Sequence, residues 1–249
     1  VIQIRNLKKT LNHKRVLDGI DLDIPEGQAM VIMGPSGTGK SVLLKHIVGL
    51  MDPDSGQLLV DEMSVPSADA RQIYEIRSKI SYVFQNSALF DSLNVGENIR
   101  LGLTEEYCRS AGSACFDIVM RAIDQVNLDR GVADLVPAEL SGGMQKRVAI
   151  ARAIVGEQKY ILYDEPTTGL DPVNASVINQ LIARLHRQIG KTSIIVTHDV
   201  ESAFYLADTI ALLSDGKVQA LGTSEEFRES TDPVVANFLR SSAHMAGVA

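Results

Sequence analysis

The sequence has no tryptophan, only two cysteines, and no apolar run near the roughly 20 residues that a membrane-crossing helix requires. Its longest apolar stretches, such as 160–163 and 193–196, read as short buried strands. A basic segment leading into an apolar one is also missing, so no secretion signal is read. There is no excess of positive charge: 24 Lys and Arg stand against 31 Asp and Glu, and the basic residues are scattered. That argues against a nucleic-acid partner, which needs basic residues massed on one face. Cys108 and Cys115 have no His or further Cys at metal-ligand spacing, so both are expected to be free thiols in a reducing compartment. No internal repeat or low-complexity segment interrupts the chain. Val1 opens inside a strand-like pattern, so a short N-terminal piece is expected before it.

What is present is enough apolar material, 45% of 249 residues, for one large α/β unit with a smaller lobe. Period-two alternation over 2–7 and 16–24 predicts half-buried antiparallel strands. Pro25-Glu26-Gly27 breaks the chain, and 29–33 then reads as a central parallel strand covered on both faces. A helix follows over about 40–50, closed by a turn-rich loop at 51–56. A second helix at 71–80 leads into a strand at 81–84. Between 95 and about 127 the period becomes helical, with Phe116, Val119, Met120 and Ile123 three and four residues apart. Alternation of strand and helix then resumes: strands at 160–163 and 192–196, helices at 173–188 and 201–207, strands at 209–213 and 217–220. Two short helices are expected to end near residue 240.

Gly34-Pro35-Ser36-Gly37-Thr38-Gly39-Lys40-Ser41, followed by Val42, matches G-x-x-x-x-G-K-[ST] between an apolar strand and a helix start. The glycines let the backbone fold tightly, so that successive N–H groups face phosphate oxygens. The helix adds its N-terminal dipole to the same anion site. Lys40 is expected on the β- and γ-phosphates and the Ser41 hydroxyl on Mg²⁺. Alone, this motif says nucleotide binding and nothing narrower.

The strand at 160–163 ends in Asp164 and Glu165. Ligands of a parallel sheet gather at the carboxyl ends of its strands, which brings these acids to the phosphate loop. Asp164 is placed to hold Mg²⁺, and Glu165 to orient and deprotonate attacking water. Acids often end strands only because loops are solvated; the phosphate loop upstream is what favours the catalytic reading here.

Leu140-Ser141-Gly142-Gly143-Met144-Gln145 resembles the signature of ABC ATPases and lies, as there, upstream of the second acidic strand. Gln85 resembles their Q-loop glutamine, Gly169-Leu170-Asp171 their D-loop, and His198 their switch histidine. The motifs run in family order, and the resemblance covers nearly the whole chain. It implies a P-loop NTPase (RecA-like) α/β core, 1–86 and 156–222, with an N-terminal antiparallel β subdomain. It also implies an inserted α-helical subdomain at 87–155 and a helical tail at 223–249. ATP and Mg²⁺ are the implied cofactors, with Gln85 near the metal and His198 on the γ-phosphate and attacking water. In the family, Ser141, Gly142, Gly143 and Gln145 serve the partner's ATP, so a homodimer sandwiches two nucleotides, with Asp171 coupling the two sites. By itself, Ser-Gly-Gly would be an ordinary helix cap.

The resemblance also implies an integral-membrane permease, and a peripheral place on the cytoplasmic face of the inner membrane. Where such ATPases usually stack adenine on an aromatic ring, this chain has Leu11, beside Asn12 and His13, so loose adenine contact is expected. Residues 85–93, 37–42 and 232–239 are similar to ATPases paired with MCE lipid-transport systems, as in maintenance of lipid asymmetry. That implies phospholipid cargo, an MCE-domain lipid-binding protein and an accessory subunit as partners. Two alternatives stay open: an importer of polar solutes such as amino acids, and a non-transport ABC ATPase acting on DNA or ribosomes. A regulatory nucleotide-binding module without catalysis is disfavoured by intact Glu165 and His198.

Overall fold

The structure, a computed structural model, describes residues 1–246, with side chains described through 241. The last residues of the expected tail, 247–249, lie outside the described residues.

Strands β1 (Ile2–Leu11) and β2 (Lys14–Ile24) form an antiparallel hairpin whose two-residue turn, Asn12-His13, has φ of 48° and 63°. Two left-handed residues match the right-handed twist of the flanking strands, and asparagine tolerates that conformation well. β3 (Ala29–Met33) is buried at every residue and feeds helix α1 (Lys40–Ile47). Then come β4 (Ser55–Val60) and β5 (Met63–Ser64), α2 (Ala70–Ser78) and β6 (Ile80–Val83).

The loop expected at 51–56 therefore ends sooner, and β4, which the sequence reading omits, pairs with β1. Its entry is disguised by Gly56, where a Cβ would stand 2.4 Å from the Asn6 carbonyl oxygen, so no strand-forming side chain fits.

Helices α3 (Val95–Arg100), α4 (Glu105–Ala111), α5 (Ala114–Gln125) and α6 (Gly142–Ile154) lie between β6 and β7 (Tyr160–Asp164). The chain continues through α7 (Pro172–Ile189), β8 (Thr192–Thr197), α8 (Val200–Leu206), β9 (Thr209–Ser214) and β10 (Lys217–Gly222). It ends in α9 (Ser224–Glu229) and α10 (Pro233–Ala246). α10 outruns the expected end near 240, because no glycine or proline interrupts the sequence between Pro233 and Gly247.

One six-stranded sheet, ordered β10-β9-β3-β8-β7-β6, is parallel except for β10; a four-stranded antiparallel sheet, β2-β1-β4-β5, lies apart from it. Alternate residues of the large sheet enter two different cores, as period-two geometry demands. Val31, Met33, Ile161, Tyr163 and Ile195 pack with Val148 and Ile150 of α6 and Ile178 and Ile182 of α7. Met30, Ile32, Leu162, Ile194 and Val196 pack with Leu43, Leu44 and Ile47 of α1 and with the small sheet's Ile4, Ile20 and Leu58. The phosphate-loop helix is thus held between two sheets.

The two cysteines are a correction. Cys108 of α4 and Cys115 of α5 form a disulfide, although free thiols were expected. The short turn through Gly112 reverses the chain between the two helices and brings their Cα atoms to 5.1 Å.

Candidate functional site

The large sheet positions the site. Register pairs Met33 with Thr197, Val196 with Asp164, and Tyr163 with Val83, so the parallel strands end level with one another. The segments that follow them carry the phosphate loop, His198, Glu165 and Gln85 to one edge, where ligands of such sheets bind. They line a cleft of about 520 Å³ with Leu11, Val16, Ser36, Gly37, Gly39, Lys40, Ser41, Val42 and Thr168.

Local geometry explains the loop's glycines. A Cβ on Gly34 would lie 2.1 Å from the Leu213 carbonyl oxygen. Gly39, at φ 100°, precedes α1, and a Cβ there would meet Val16 at 2.8 Å. No side chain caps α1, so its first N–H groups stay open toward the loop. Lys40 is buried and donates to the carbonyls of Gly34 and Pro35 at 2.8 and 3.0 Å, with Glu165 at 3.7 Å. Burial lowers its ammonium pKa, and the charge of Glu165 opposes that shift. Thr38 closes the loop by donating to Pro35 O at 2.9 Å.

Across from the loop, the Ser41 hydroxyl donates to Asp164 Oδ1 at 2.6 Å and Tyr82 to Asp164 Oδ2 at 2.9 Å. Burial and then the Asp164 charge push the Tyr82 phenol well above its ordinary range, so it stays a donor. Glu165 has φ 49°, and its N–H donates to Val196 O. A left-handed glutamate is uncommon; this turn ends the strand and swings the carboxylate into the cleft. Its Oε2 lies 2.8 Å from His198 Nδ1 and 3.3 Å from the Thr168 hydroxyl. A carboxylate only accepts, so in this contact Nδ1 carries a proton and donates it to Glu165.

The remaining predicted residues stand elsewhere. Ser141 caps α6, accepting from Met144 N–H at 3.3 Å, and Gly142 is exposed beside it. Gln145 turns back into its own chain, donating to Pro137 O at 2.9 Å. Asp171 caps α7, accepting from the N–H groups of Val173 and Asn174; the Asn174 side chain and these N–H groups hold its carboxyl below the usual range. None of these four lines the cleft.

Three residues that hold the cleft residues or the segment after Gln85 escaped the sequence reading. Tyr82 looks like any strand aromatic. Lys146 of α6 donates to Gln85 O, and Arg152 of the same helix donates to Ser87 O and Ala88 O at 2.8 Å each. Both long cations resemble ordinary surface residues of a helix in sequence.

Among the described residues no three His, Cys, Asp or Glu side chains cluster as a ready metal cage. The contact between Ser41 and Asp164 still suits a hard cation of the Mg²⁺ type, which takes one or two protein oxygens and fills its shell with phosphate and water. No helix among the described residues is long and apolar enough to cross a membrane.

The family described as ABC transporter matches residues 17–168. The intermembrane phospholipid transport system ATP-binding protein MlaF of Haemophilus influenzae is 38% identical over 240 residues, 96% of this chain and 90% of that protein. MlaF of Escherichia coli K12 is 37% identical over 239 residues, covering 96% and 88%. A probable ribonucleotide transport ATP-binding protein, mkl of Mycobacterium leprae, is 40% identical over 238 residues, covering 96% and 68%. Among solved structures, a dimeric ATP-binding cassette in a post-hydrolysis state with ADP and Pi superposes with TM-score 0.79 at 32% identity, covering 90% of this chain and 99% of that one.

Proposed function

The chain belongs to the ABC transporter family, and from that premise we propose that it drives phospholipid transport as one of two ATPase subunits beneath a membrane permease. As a member it binds and hydrolyses ATP. The phospholipid reading is supported by similarity to the MlaF proteins over 96% of the chain. The partners proposed with it are a second copy of this chain, an integral-membrane permease, an MCE-domain lipid-binding protein and an accessory subunit. The chain would then sit peripherally on the cytoplasmic face of the inner membrane. Residues 1–86 and 156–222 form the core in this reading, 87–155 the helical subdomain and 223–249 the tail.

The observation that carries the enzymology is the Lys40–Glu165–His198 contact set at the ends of three parallel strands. The loop from Gly34 to Gly39 and the start of α1 bind the phosphates through backbone N–H groups. Lys40, now held by loop carbonyls 2.8 and 3.0 Å away, turns to the terminal phosphates when ATP displaces those contacts. Ser41, Asp164 and Gln85 would hold Mg²⁺, which when bound neutralises phosphate charge. Glu165 takes the proton of the attacking water, and His198, held at Nδ1 by Glu165, turns Nε2 toward that water and the γ-phosphate. Ser141, Gly142 and Gly143 offer their N–H groups to the nucleotide of the second copy, and Asp171 ties one site to the other. ATP therefore closes the pair by contacting both chains, and hydrolysis removes the bridge.

Purification from native membranes with identification of co-isolating proteins tests the cargo reading. A permease accompanied by an MCE-domain protein supports phospholipid transport. A permease accompanied by a solute-binding protein overturns it in favour of a polar-solute importer, leaving the ATPase chemistry as it stands.

A further inference from the structure

Lys146 is only 6% exposed, although it is a lysine just past the first turn of a helix whose start is open to solvent. A buried ammonium is costly unless something nearby needs the charge. Its hydrogen bond is to a neutral backbone carbonyl, Gln85 O, which a neutral donor would satisfy as well. Burial lowers the Lys146 ammonium pKa, and the charges of Asp164 and Glu165 oppose that shift.

The cleft gives a geometric juxtaposition: Gln85, just after β6, and Glu165, just after the neighbouring parallel strand β7, line the same cavity. Lys146 thus reaches from the inserted helices to the backbone beside the acid pair. Side chains from the inserted helices brace the segment it grips. Ser87 and Ala88 adopt left-handed φ of 62° and 45°, and Arg152, six residues along α6, holds both their carbonyls. Asn98 of α3 fixes the far end by bonding both the N–H and the carbonyl of Phe90. Around the acid pair the other polar groups are Lys40 from α1, Ser41 beside it, Tyr82 on β6, Thr168, and His198 after β8.

We infer that Lys146 is a positioning residue for hydrolysis: it fixes the Gln85 backbone in the wall of the cleft and brings a second cation, besides Lys40, into the neighbourhood of Asp164 and Glu165. The inference rests on the reading of Glu165 as the base. Because Ser141 caps α6, the same helix that offers the signature donors anchors the Gln85 loop of its own chain.

The test is steady-state ATP hydrolysis by Lys146→Met, which keeps a long stem without charge, and by Lys146→Arg, with Glu165→Gln alongside. Lys146→Met should lower kcat about tenfold or more and leave KM for ATP within about threefold, while Lys146→Arg restores most of the rate. Should the methionine variant fail to fold, Lys146→Gln, which keeps a donor without the charge, gives the same readout. Wild-type kcat in the uncharged variant, a rise in KM alone, or an arginine variant no better than methionine would each overturn the inference. An inert Glu165→Gln beside a fully active Lys146→Met overturns this inference alone. A fully active Glu165→Gln overturns the base assignment, and this inference with it.

Discussion

At the phosphate loop the functional side chains already have partners within the chain. Lys40 is held by two carbonyls and Glu165, Ser41 and Tyr82 hold Asp164, and His198 holds Glu165. At the start of α6 the situation is reversed: Ser141 and Gly142 are exposed, and the serine hydroxyl accepts one bond, 3.3 Å long, from its own helix. The first region is a preorganised site with a cleft beside it. The second is a row of donors outside that cleft. The difference is what two half-sites of unequal completeness would look like, with the nucleotide bound by one chain and capped by the other.

The comparison is broken most severely at Glu165. Glu165→Gln keeps the shape and, in our reading, removes the base, so hydrolysis should fall about 10²–10⁴-fold while ATP binding survives. Radiolabelled ATP retention and phosphate release, measured on the same preparation, check both halves of that expectation.

A milder consequence concerns the open end of the same cleft. There the lining is Leu11 and Val16, which carry no side-chain donor or acceptor to read the edge of a base. In our reading the base lies at that end, and kcat/KM for GTP should stay within about tenfold of that for ATP. Competition kinetics would show strong discrimination if another group reads the base.

The smallest effect separates the two regions by pH. His46 of α1 is buried, its Nδ1 2.7 Å from Val42 O and its Nε2 without a partner. Burial depresses its pKa below the ordinary 6.5, helped by the Lys9 charge, although the Val42 and Asp52 contacts oppose this. The imidazole is therefore neutral when folded, and the unfolded chain binds the proton more readily. Its contribution to stability is complete above about pH 6.5 and is lost as pH falls below that value. Thermal midpoints between pH 8 and 5.5 should decline on the acid side, and His46→Met should flatten part of that slope.

Legibility in the sequence followed locality. The phosphate loop is contiguous, so its spacing alone announced it, and the strand ending in Asp164 and Glu165 could be found by its apolar run. The contact between Ser41 and Asp164 joins residues 123 apart and became readable only because the loop and helix that follow β3 meet the end of β7 at one edge of a parallel sheet. Tyr82, Lys146 and Arg152 were invisible for the opposite reason. Their types are common in strands and helices, and only the tertiary fold turns them toward the site. β4 was missed because Gly56 replaces a strand former where two backbones touch, and the disulfide because i to i+7 proximity depends on the turn at Gly112.

The claim that one hydrolytic site is built from two chains is tested most directly by complementation. Glu165→Gln and Ser141→Arg chains are each expected to be inactive alone, the first lacking the base and the second blocking the donor row. Mixed in equal amounts, they form dimers in which one composite site carries both defects and the other carries none. Our account predicts that ATPase activity returns, to about a quarter of the wild-type rate when chains exchange at random. If chains that exchange freely show no recovery on mixing, both half-sites would belong to a single chain, and the account would be contradicted.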